Sequence, residues 1–234
     1  MEGAKKRQPW PTVFAADLST MRGRAKAWSN SVLVDHAFFR VLWHNFAVVE
    51  PGVLYRANHP TPGQLAVMAQ RHGIRTVINL RGARACGSDA LSRDAALRLG
   101  LVQIDMALES RGAPQVDRIL RLAEIFRTMT APALMHCKSG ADRAGLMSVL
   151  YRHVREGVPI AEAKQQLSLR YGHIRQGDTG ILDAFFERYL ADTATEPMPF
   201  YDWVETRYDP DELKRTYLAN GWANRLVNNV LRRE

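Results

Sequence analysis

The chain has 234 residues, of which 46% are hydrophobic and 24% are charged, an ordinary composition for a globular protein with its own core. Its net charge of +8 favours anionic partners, including phosphorylated substrates, acidic lipid surfaces and nucleic acid, without choosing among them. No run of about 18 apolar residues occurs, so we expect no transmembrane helix. Prolines follow the basic start of the chain where a secretory signal would need a continuous apolar segment.

The two cysteines, Cys86 and Cys137, lie far apart and lack the spacing of metal ligands. Two cysteines in a chain of this length do not form a disulfide framework, so a reducing cytoplasm is the expected compartment. We expect neither a metal nor a cofactor.

Residues 1–47 are interpreted as a basic N-terminal extension with a helix. Six basic residues stand against two acidic ones over residues 1–30, and Trp10 and Trp28 lie among them. One interpretation is an arm that packs its aromatic rings on the domain. The other is peripheral contact with an anionic membrane surface, where basic residues and tryptophan act together. Apolar residues at helical spacing predict a helix over residues 32–46.

Residues 48–192 are interpreted as the main domain. Short, largely apolar segments predict strands over residues 53–56, 74–80, 101–107 and 131–135. Capping residues and amphipathic spacing predict helices over residues 62–72, 88–99, 144–156, 160–171 and 180–190. A further long amphipathic helix is predicted to begin at Pro114, with a core face that extends to Phe126. Because three strand–helix units precede the last strand, we predict an α/β fold with a mainly parallel central sheet of about four to five strands, flanked by helices.

Residues 193–234 are interpreted as an aromatic-rich, helical C-terminal extension. Prolines at three positions interrupt a stretch that also holds six aromatic side chains: Phe200, Tyr201, Trp203, Tyr208, Tyr217 and Trp222. Docking on the domain is one interpretation of these residues, and contact with a partner or a lipid is the other.

A loop that follows the last predicted strand carries the chemistry. The strand ends at His136-Cys137, a turn at Gly140 follows, and a helix is predicted from about Arg143. A strand, a tight loop and a helix N-terminus collect backbone N–H groups around an anion. Cysteine supplies a nucleophile, and the planar arginine fork fits phosphate oxygens. We therefore predict phosphoryl chemistry on a thiol, with phosphate bound by the loop residues Lys138, Ser139, Gly140, Ala141 and Asp142.

Transfer of a phosphoryl group also requires a proton for the leaving oxygen, and a carboxylic acid on a neighbouring loop can supply it. Asp105 is the first candidate, because it ends the preceding predicted strand at the carboxyl edge of the sheet. Glu109, in the loop that follows, is the second. Asp142 is expected to orient Arg143, Lys138 or a substrate group.

The pattern His136-Cys137-x5-Arg143 matches the signature of the cysteine-dependent protein tyrosine phosphatases. The whole run resembles the dual-specificity and lipid-phosphatase branches, and the segment between residues 54 and 81 resembles the opening of bacterial dual-specificity phosphatases. The resemblance covers roughly residues 48–190 and implies a dual-specificity-phosphatase-like fold. Both ends of the chain lie outside it.

The resemblance implies that Cys137 is the nucleophile, that Arg143 binds phosphate, and that an aspartate about 30 residues upstream of the cysteine is the general acid. Asp105, 32 residues before Cys137, fits that spacing. The family usually has serine or threonine directly after the arginine, where its hydroxyl assists the cysteine as leaving group. This chain has Ala144 there, so the second chemical step is expected to be slower unless Ser139 substitutes in part.

The expected function is hydrolysis of phosphomonoesters through a phosphocysteine. The substrate is a phosphoprotein (Tyr, Ser or Thr) or a membrane-lipid phosphate such as a phospholipid head group or lipid A. Ala144 keeps a non-catalytic module that binds phosphorylated ligands as the alternative. A nucleic-acid binder is not expected, because no recognition motif accompanies the positive charge.

Two further groups lie near the predicted carboxyl edge of the sheet. Arg81 and Arg84 are interpreted either as a second anion contact or as ion-pair partners of Asp89 or another carboxylate. The resemblance also places a water-positioning loop over residues 172–180, where Gln176 and Asp178 are the candidates.

Overall fold

The computed structural model describes residues 14–35, 38 and 44–219. Five short strands form one sheet: β1 (Ala47–Glu50), β2 (Leu54–Ala57), β3 (Thr76–Asn79), β4 (Val102–Asp105) and β5 (Ala133–His136). Their order is β1-β2-β5-β3-β4. β1 is antiparallel to β2, and the other neighbouring strands are parallel. The predicted α/β fold with a mainly parallel sheet is therefore confirmed, and β5, which leads into the cysteine loop, lies at the centre.

The helices surround this sheet. They are α1 (Met21–Leu33), α2 (Pro62–His72), α3 (Gly87–Arg98), α4 (Val116–Thr128), α5 (Asp142–Glu156), α6 (Ile160–Ala163), α7 (Ile181–Asp192) and α8 (Phe200–Thr206). Residues 210–219 are also helical. The helix predicted over residues 160–171 is wrong beyond α6, because short 3-10 turns at Lys164–Gln166 and Leu169–Tyr171 continue the chain.

The N-terminal part differs most from the sequence-based prediction. Of the helix predicted over residues 32–46, residues 32–33 belong to α1 and residue 38 is helical, whereas residues 34–35 and 44–46 are not helical. The other positions of that prediction lie outside the described residues. β1 is not predicted, because its four residues directly follow a run with helical spacing. Residues 1–13, 36–37, 39–43 and 220–234, which include Trp10 and Trp222, lie outside the described residues.

Local sequence explains where α2 begins and ends. Thr61 accepts a hydrogen bond from the backbone of Gln64, whose side chain in turn accepts from the Thr61 backbone. Such a capping box satisfies N–H groups that the first helical turn leaves unpaired. Pro62 is the first helical residue, and Gly73 ends the helix in the left-handed region with φ of 64°. The bounds of α2 agree with the helix predicted over residues 62–72.

Both faces of the sheet are covered, as expected for parallel strands. The larger core lies between the sheet and the later helices, and includes Ile78, Met135, Leu146 and Phe185. A smaller core lies on the other face beneath α2 and α3, and includes Leu65, Val77, Ala95 and Leu134. All four residues of β5 are buried. The cysteine loop therefore starts from a central strand that is buried along its whole length, as are its neighbours β2 and β3.

α1 packs closely on the start of α3. The side-chain oxygen of Asn30 accepts a hydrogen bond from the backbone of Gly87 at 2.7 Å, and the hydroxyls of Ser31 and Ser88 lie 2.7 Å apart. A Cβ atom at Gly87 would lie 1.9 Å from the carbonyl oxygen of Ala27, so only glycine allows this approach. This contact directs the residues that follow α1 towards the cysteine loop.

The described part of the C-terminal extension packs into the larger core. Trp203 is fully buried, and its ring lies 5.7 Å from that of Phe185 and 5.0 Å from that of Tyr208. The Tyr208 hydroxyl donates to the carbonyl oxygen of Pro114 at 2.9 Å. Docking on the domain therefore accounts for these aromatic side chains. Within the described ranges, no helix combines the length and the apolar character needed to cross a bilayer.

Candidate active site

The cysteine loop (residues 137–141) connects β5 to α5. The Cys137 side chain is buried, and its Sγ accepts a hydrogen bond from the backbone N–H of Gly140 at 3.2 Å. Gly140 has φ of 76°, and a Cβ atom there would lie 2.7 Å from the backbone nitrogen of Asn58. Only glycine fits at this position, because the loop is pressed against the residue that follows β2.

Arg56, in β2, supports the loop from the sheet side. Its Nη2 donates to the carbonyl oxygens of Gly140 at 2.7 Å and Ala141 at 3.0 Å. Its Nη1 donates to the backbone and side-chain oxygens of Gln166, both at 2.9 Å. Complete burial lowers the pKa of Arg56 to about 10, although the nearby Cys137 opposes this effect, so the group remains charged at neutral pH. The carbonyl oxygens of Gly140 and Ala141 thus point to Arg56, and the N–H of Gly140 points to the sulfur.

Asn45 ties the same loop to a more distant segment. Its side-chain amide donates to the carbonyl oxygens of Ser139 and Tyr171, both at 2.8 Å. The Tyr171 ring in turn lies 4.1 Å from the Arg56 guanidinium carbon. Sequence analysis does not select Asn45 or Arg56 as site residues. A signal for Arg56 exists, because an arginine within a strand of otherwise apolar character requires buried partners.

Arg143 lies in the first turn of α5. Its Nη2 donates to the Ser110 hydroxyl at 3.0 Å, whereas its Nε and Nη1 are buried without a hydrogen-bond partner. Burial lowers the pKa of Arg143, Cys137 opposes that effect, and Arg81 and Arg84 add to it. Buried donors without partners are unfavourable, and two N–H groups on one guanidinium match two phosphate oxygens. Arg143 therefore has the geometry of a phosphate ligand beside the sulfur.

Three basic residues, Arg81, Arg84 and Lys138, form a cationic rim beside the loop. Asp35 of the N-terminal extension contacts this rim. Arg81 makes two hydrogen bonds of 2.8 Å to the carboxylate of Asp35, and Lys138 Nζ lies 3.6 Å from the same carboxylate. Arg81 therefore forms an ion pair, as one of the two interpretations predicted, and its partner is Asp35. Asp89 instead binds Arg93 at 2.7 Å. Lys138 remains half-exposed, and the Arg84 side chain is close enough to lower the pKa of Arg143.

Asp105 ends β4, which is the edge strand and is separated from β5 by β3. Its Oδ1 accepts hydrogen bonds from Arg93 at 2.7 Å and from the Asn79 side chain at 3.1 Å. About a third of the Asp105 side chain is exposed. The structure thus places Asp105 at the carboxyl edge of the sheet, in a hydrogen-bonded cluster with α3.

Glu109 lies in the loop that follows β4. One of its carboxyl oxygens contacts Arg118, and the other is buried without a partner. The next residue, Ser110, is the one that binds Arg143. The loop that holds Glu109 therefore touches the phosphate-binding arginine.

Asp142 does not contact Arg143 or Lys138 through its side chain in the described residues. Its Oδ1 lies 2.8 Å from Nδ1 of His173, and Nε2 of His173 lies 2.7 Å from Oδ2 of Asp183 on α7. His173 belongs to the segment in which Gln176 and Asp178 are predicted to position water, but those two side chains are exposed. The buried titratable residue of that segment is His173.

Metal-ligating residues do not cluster near the loop. Over residues 14–35, 38 and 44–219, no group of three His, Cys, Asp or Glu side chains has the arrangement that a metal ion needs. Cys86, half-buried at the start of α3, and Cys137 are both free thiols. The functional groups that the described residues bring to the site are the Cys137 thiol, the Arg143 guanidinium and the carboxyl groups of the neighbouring loops.

Comparisons with known proteins agree with this geometry. A family model described as a DSP-PTPase phosphatase fused to NAD+ kinase matches residues 48–179. TpbA of P. aeruginosa has a similar structure, with a TM-score of 0.50 and 20% identity over 74% of this chain and 90% of that one. A putative phosphatase (DUF442) from Shewanella putrefaciens CN-32 has a TM-score of 0.50 and 16% identity over 66% of this chain and 95% of that one. No curated protein sequence matches significantly.

The two similar structures share the fold of this chain. The family match is the stronger finding, because residues 48–179 are more than half of the 234 residues and contain the whole cysteine loop together with Arg143. The chain therefore belongs to the dual-specificity type of the cysteine-dependent protein tyrosine phosphatases.

Proposed function

We propose that the protein hydrolyses phosphomonoesters through a phosphocysteine at Cys137. One observation carries this proposal. Two buried nitrogen atoms of Arg143 have no hydrogen-bond partner, in a site where the N–H of Gly140 already donates to the Cys137 sulfur. Donors arranged in this way stabilise a thiolate and the phosphoryl group that it attacks.

In the first step, the Cys137 sulfur attacks phosphorus, and the bond between phosphorus and the ester oxygen breaks. The leaving oxygen keeps the bonding electrons and takes a proton from a carboxyl group. Arg143 and the N–H groups of the loop hold the equatorial oxygens meanwhile. In the second step, water attacks phosphorus, the bond to sulfur breaks, and the thiolate returns as inorganic phosphate leaves.

For the substrate, we propose a phosphate on a membrane lipid, such as a phospholipid or lipid A, in preference to a phosphoprotein. The exposed apolar side chains of α1 support this proposal, since Met21 and Leu33 are 89% and 74% exposed and Trp28 is half-exposed. Basic residues lie on the same helix, among them Arg22 and Lys26. Such a surface suits peripheral contact with an anionic membrane on its cytoplasmic side.

Replacement of the nucleophile tests the proposed chemistry. Wild type is expected to hydrolyse p-nitrophenyl phosphate in a vanadate-sensitive reaction, and Cys137→Ser to lower kcat on the order of 10³-fold or more. Cys86→Ser is the matched control and should keep wild-type activity. Full activity of Cys137→Ser would exclude the phosphocysteine. Phosphopeptide binding by wild type without turnover over hours would instead support the non-catalytic module.

Vesicles can test whether the substrate phosphate belongs to a membrane lipid or to a protein. We expect wild type to release more phosphate from anionic vesicles that carry phosphatidylglycerophosphate or lipid A than from a soluble phosphopeptide at equal phosphate concentration. Trp28→Ser combined with Leu33→Ser should reduce only the vesicle reaction, because these side chains lie outside the cysteine loop. Equal rates on both substrates would favour the phosphoprotein alternative.

Leaving-group dependence tests the two candidate acids. The contact of the neighbouring Ser110 with Arg143 favours Glu109, so Glu109→Gln should slow hydrolysis of phenyl phosphate by about 10²–10⁴-fold. The better leaving group of p-nitrophenyl phosphate needs less protonation and should be affected less. Asp105→Asn should show no such selective loss. The opposite pattern would assign the role to Asp105.

Burst kinetics test the effect of Ala144. This residue is fully buried at the start of α5, and no hydroxyl group follows Arg143. We therefore expect the phosphocysteine to accumulate, with a burst of p-nitrophenol equal to the enzyme concentration. Ala144→Ser should shrink the burst and raise kcat, and Ser148→Ala on the same helix serves as the control. Absence of a burst in wild type would show that the second step is not limiting.

A further inference from the structure

Behind the cysteine loop lies a buried chain of three charged groups: Asp142, His173 and Asp183. Only 1% of the His173 side chain is exposed, and both ring nitrogens lie within 2.8 Å of a carboxylate oxygen. Asp142 is the first residue of α5 and directly precedes Arg143. Asp183, on α7, lies outside the residues that the family model matches.

We propose that His173 is a positioning residue that holds Asp142, and through it the start of α5, so that Arg143 keeps the orientation in which it binds phosphate. This inference rests on the proposed phosphatase activity only where kcat/KM is measured, because tungstate binding does not require turnover. Each ring nitrogen of His173 faces a different carboxylate. Both nitrogens can donate a hydrogen bond only in the doubly protonated imidazolium, because neutral imidazole has a single N–H. Loss of that proton leaves one carboxylate without its donor.

The electrostatic surroundings of His173 favour the charged form. Burial lowers the pKa of His173, but the hydrogen bonds with Asp142 and Asp183 outweigh burial and raise the pKa from 6.5 to about 9. Arg143 on α5 and Arg56 on β2 interact electrostatically with Asp142, and Tyr217, whose hydroxyl donates to the Gly177 carbonyl oxygen at 2.8 Å, interacts with Asp183. Two carboxylates therefore contact the ring directly, and the cations do not.

The direction of the pH effect follows from this shift. A histidine whose pKa is raised on folding contributes its full stabilisation below the unfolded value, near pH 6.5, and loses it as pH rises through about 9. The hydrogen bond between His173 and Asp142 should weaken over the same pH range. Because Asp142 and Arg143 are adjacent, affinity for a tetrahedral oxyanion should fall over that range too.

Tungstate is a suitable probe, because it binds without turnover and needs neither a leaving group nor a general acid. We expect wild type to bind tungstate tightly at pH 7 and to lose affinity as pH rises through about 9. In Asp183→Asn, which keeps the side-chain shape and removes one charge, the same loss should occur at lower pH. His173→Gln has both of its N–H donors on one nitrogen atom and does not bridge the two carboxylates as the two ring nitrogens do, so tungstate affinity and kcat/KM at pH 7 should fall about 10- to 100-fold.

Asp192→Asn is the matched control, because Asp192 also accepts hydrogen bonds on α7 but from Arg188 and Trp203. It should leave the pH profile of tungstate affinity unchanged. If folded Asp183→Asn keeps the wild-type pH profile, the positioning role is excluded. If wild type shows no turnover but tungstate affinity follows the expected pH dependence, the proposed activity fails while the role of His173 stands.

Discussion

The guanidinium group of Arg56 lies wholly inside the protein, between the end of β2, the cysteine loop and the Tyr171 ring. A buried charge is costly unless it is hydrogen-bonded, and both Nη atoms of Arg56 donate to oxygens of Gly140, Ala141 and Gln166, whereas its Nε has no partner. The carbonyl groups of Gly140 and Ala141 therefore face Arg56. The N–H of Gly140 is left to donate to the Cys137 sulfur, and donors of this kind favour a thiolate and an anion.

Other contacts hold the loop from positions distant in the chain. Asn45 binds the carbonyl oxygen of Ser139, Ser110 binds Arg143, and His173 binds Asp142. A loop held at so many points is organised before a phosphate arrives, which reduces the reorganisation that catalysis would otherwise require.

The N-terminal extension supplies a carboxylate, that of Asp35, to the cationic rim of the cysteine loop. Arg81 and Lys138 both face the Asp35 carboxylate, so part of their positive charge is neutralised within the protein. Asp35 follows α1, whose close packing on Gly87 brings it there. A segment outside residues 48–179, the range of the family match, thus sets the charge next to the cysteine loop. The division of the chain into three parts stays a prediction, although the described ends share contacts with the central domain.

The amino-acid sequence was sufficient to predict the family, the parallel sheet and the cysteine loop, because strand periodicity, helix caps and the spacing from Cys137 to Arg143 are local properties of the chain. It did not reveal β1, the broken helix after α6, or the partners of Arg56, Asp35 and His173. The partners of buried charges come from residues distant in sequence, such as Asp183 for His173, and no local pattern specifies which of them meet. Only the tertiary structure decided those pairs, because a buried charge requires a partner wherever packing brings one within hydrogen-bond distance.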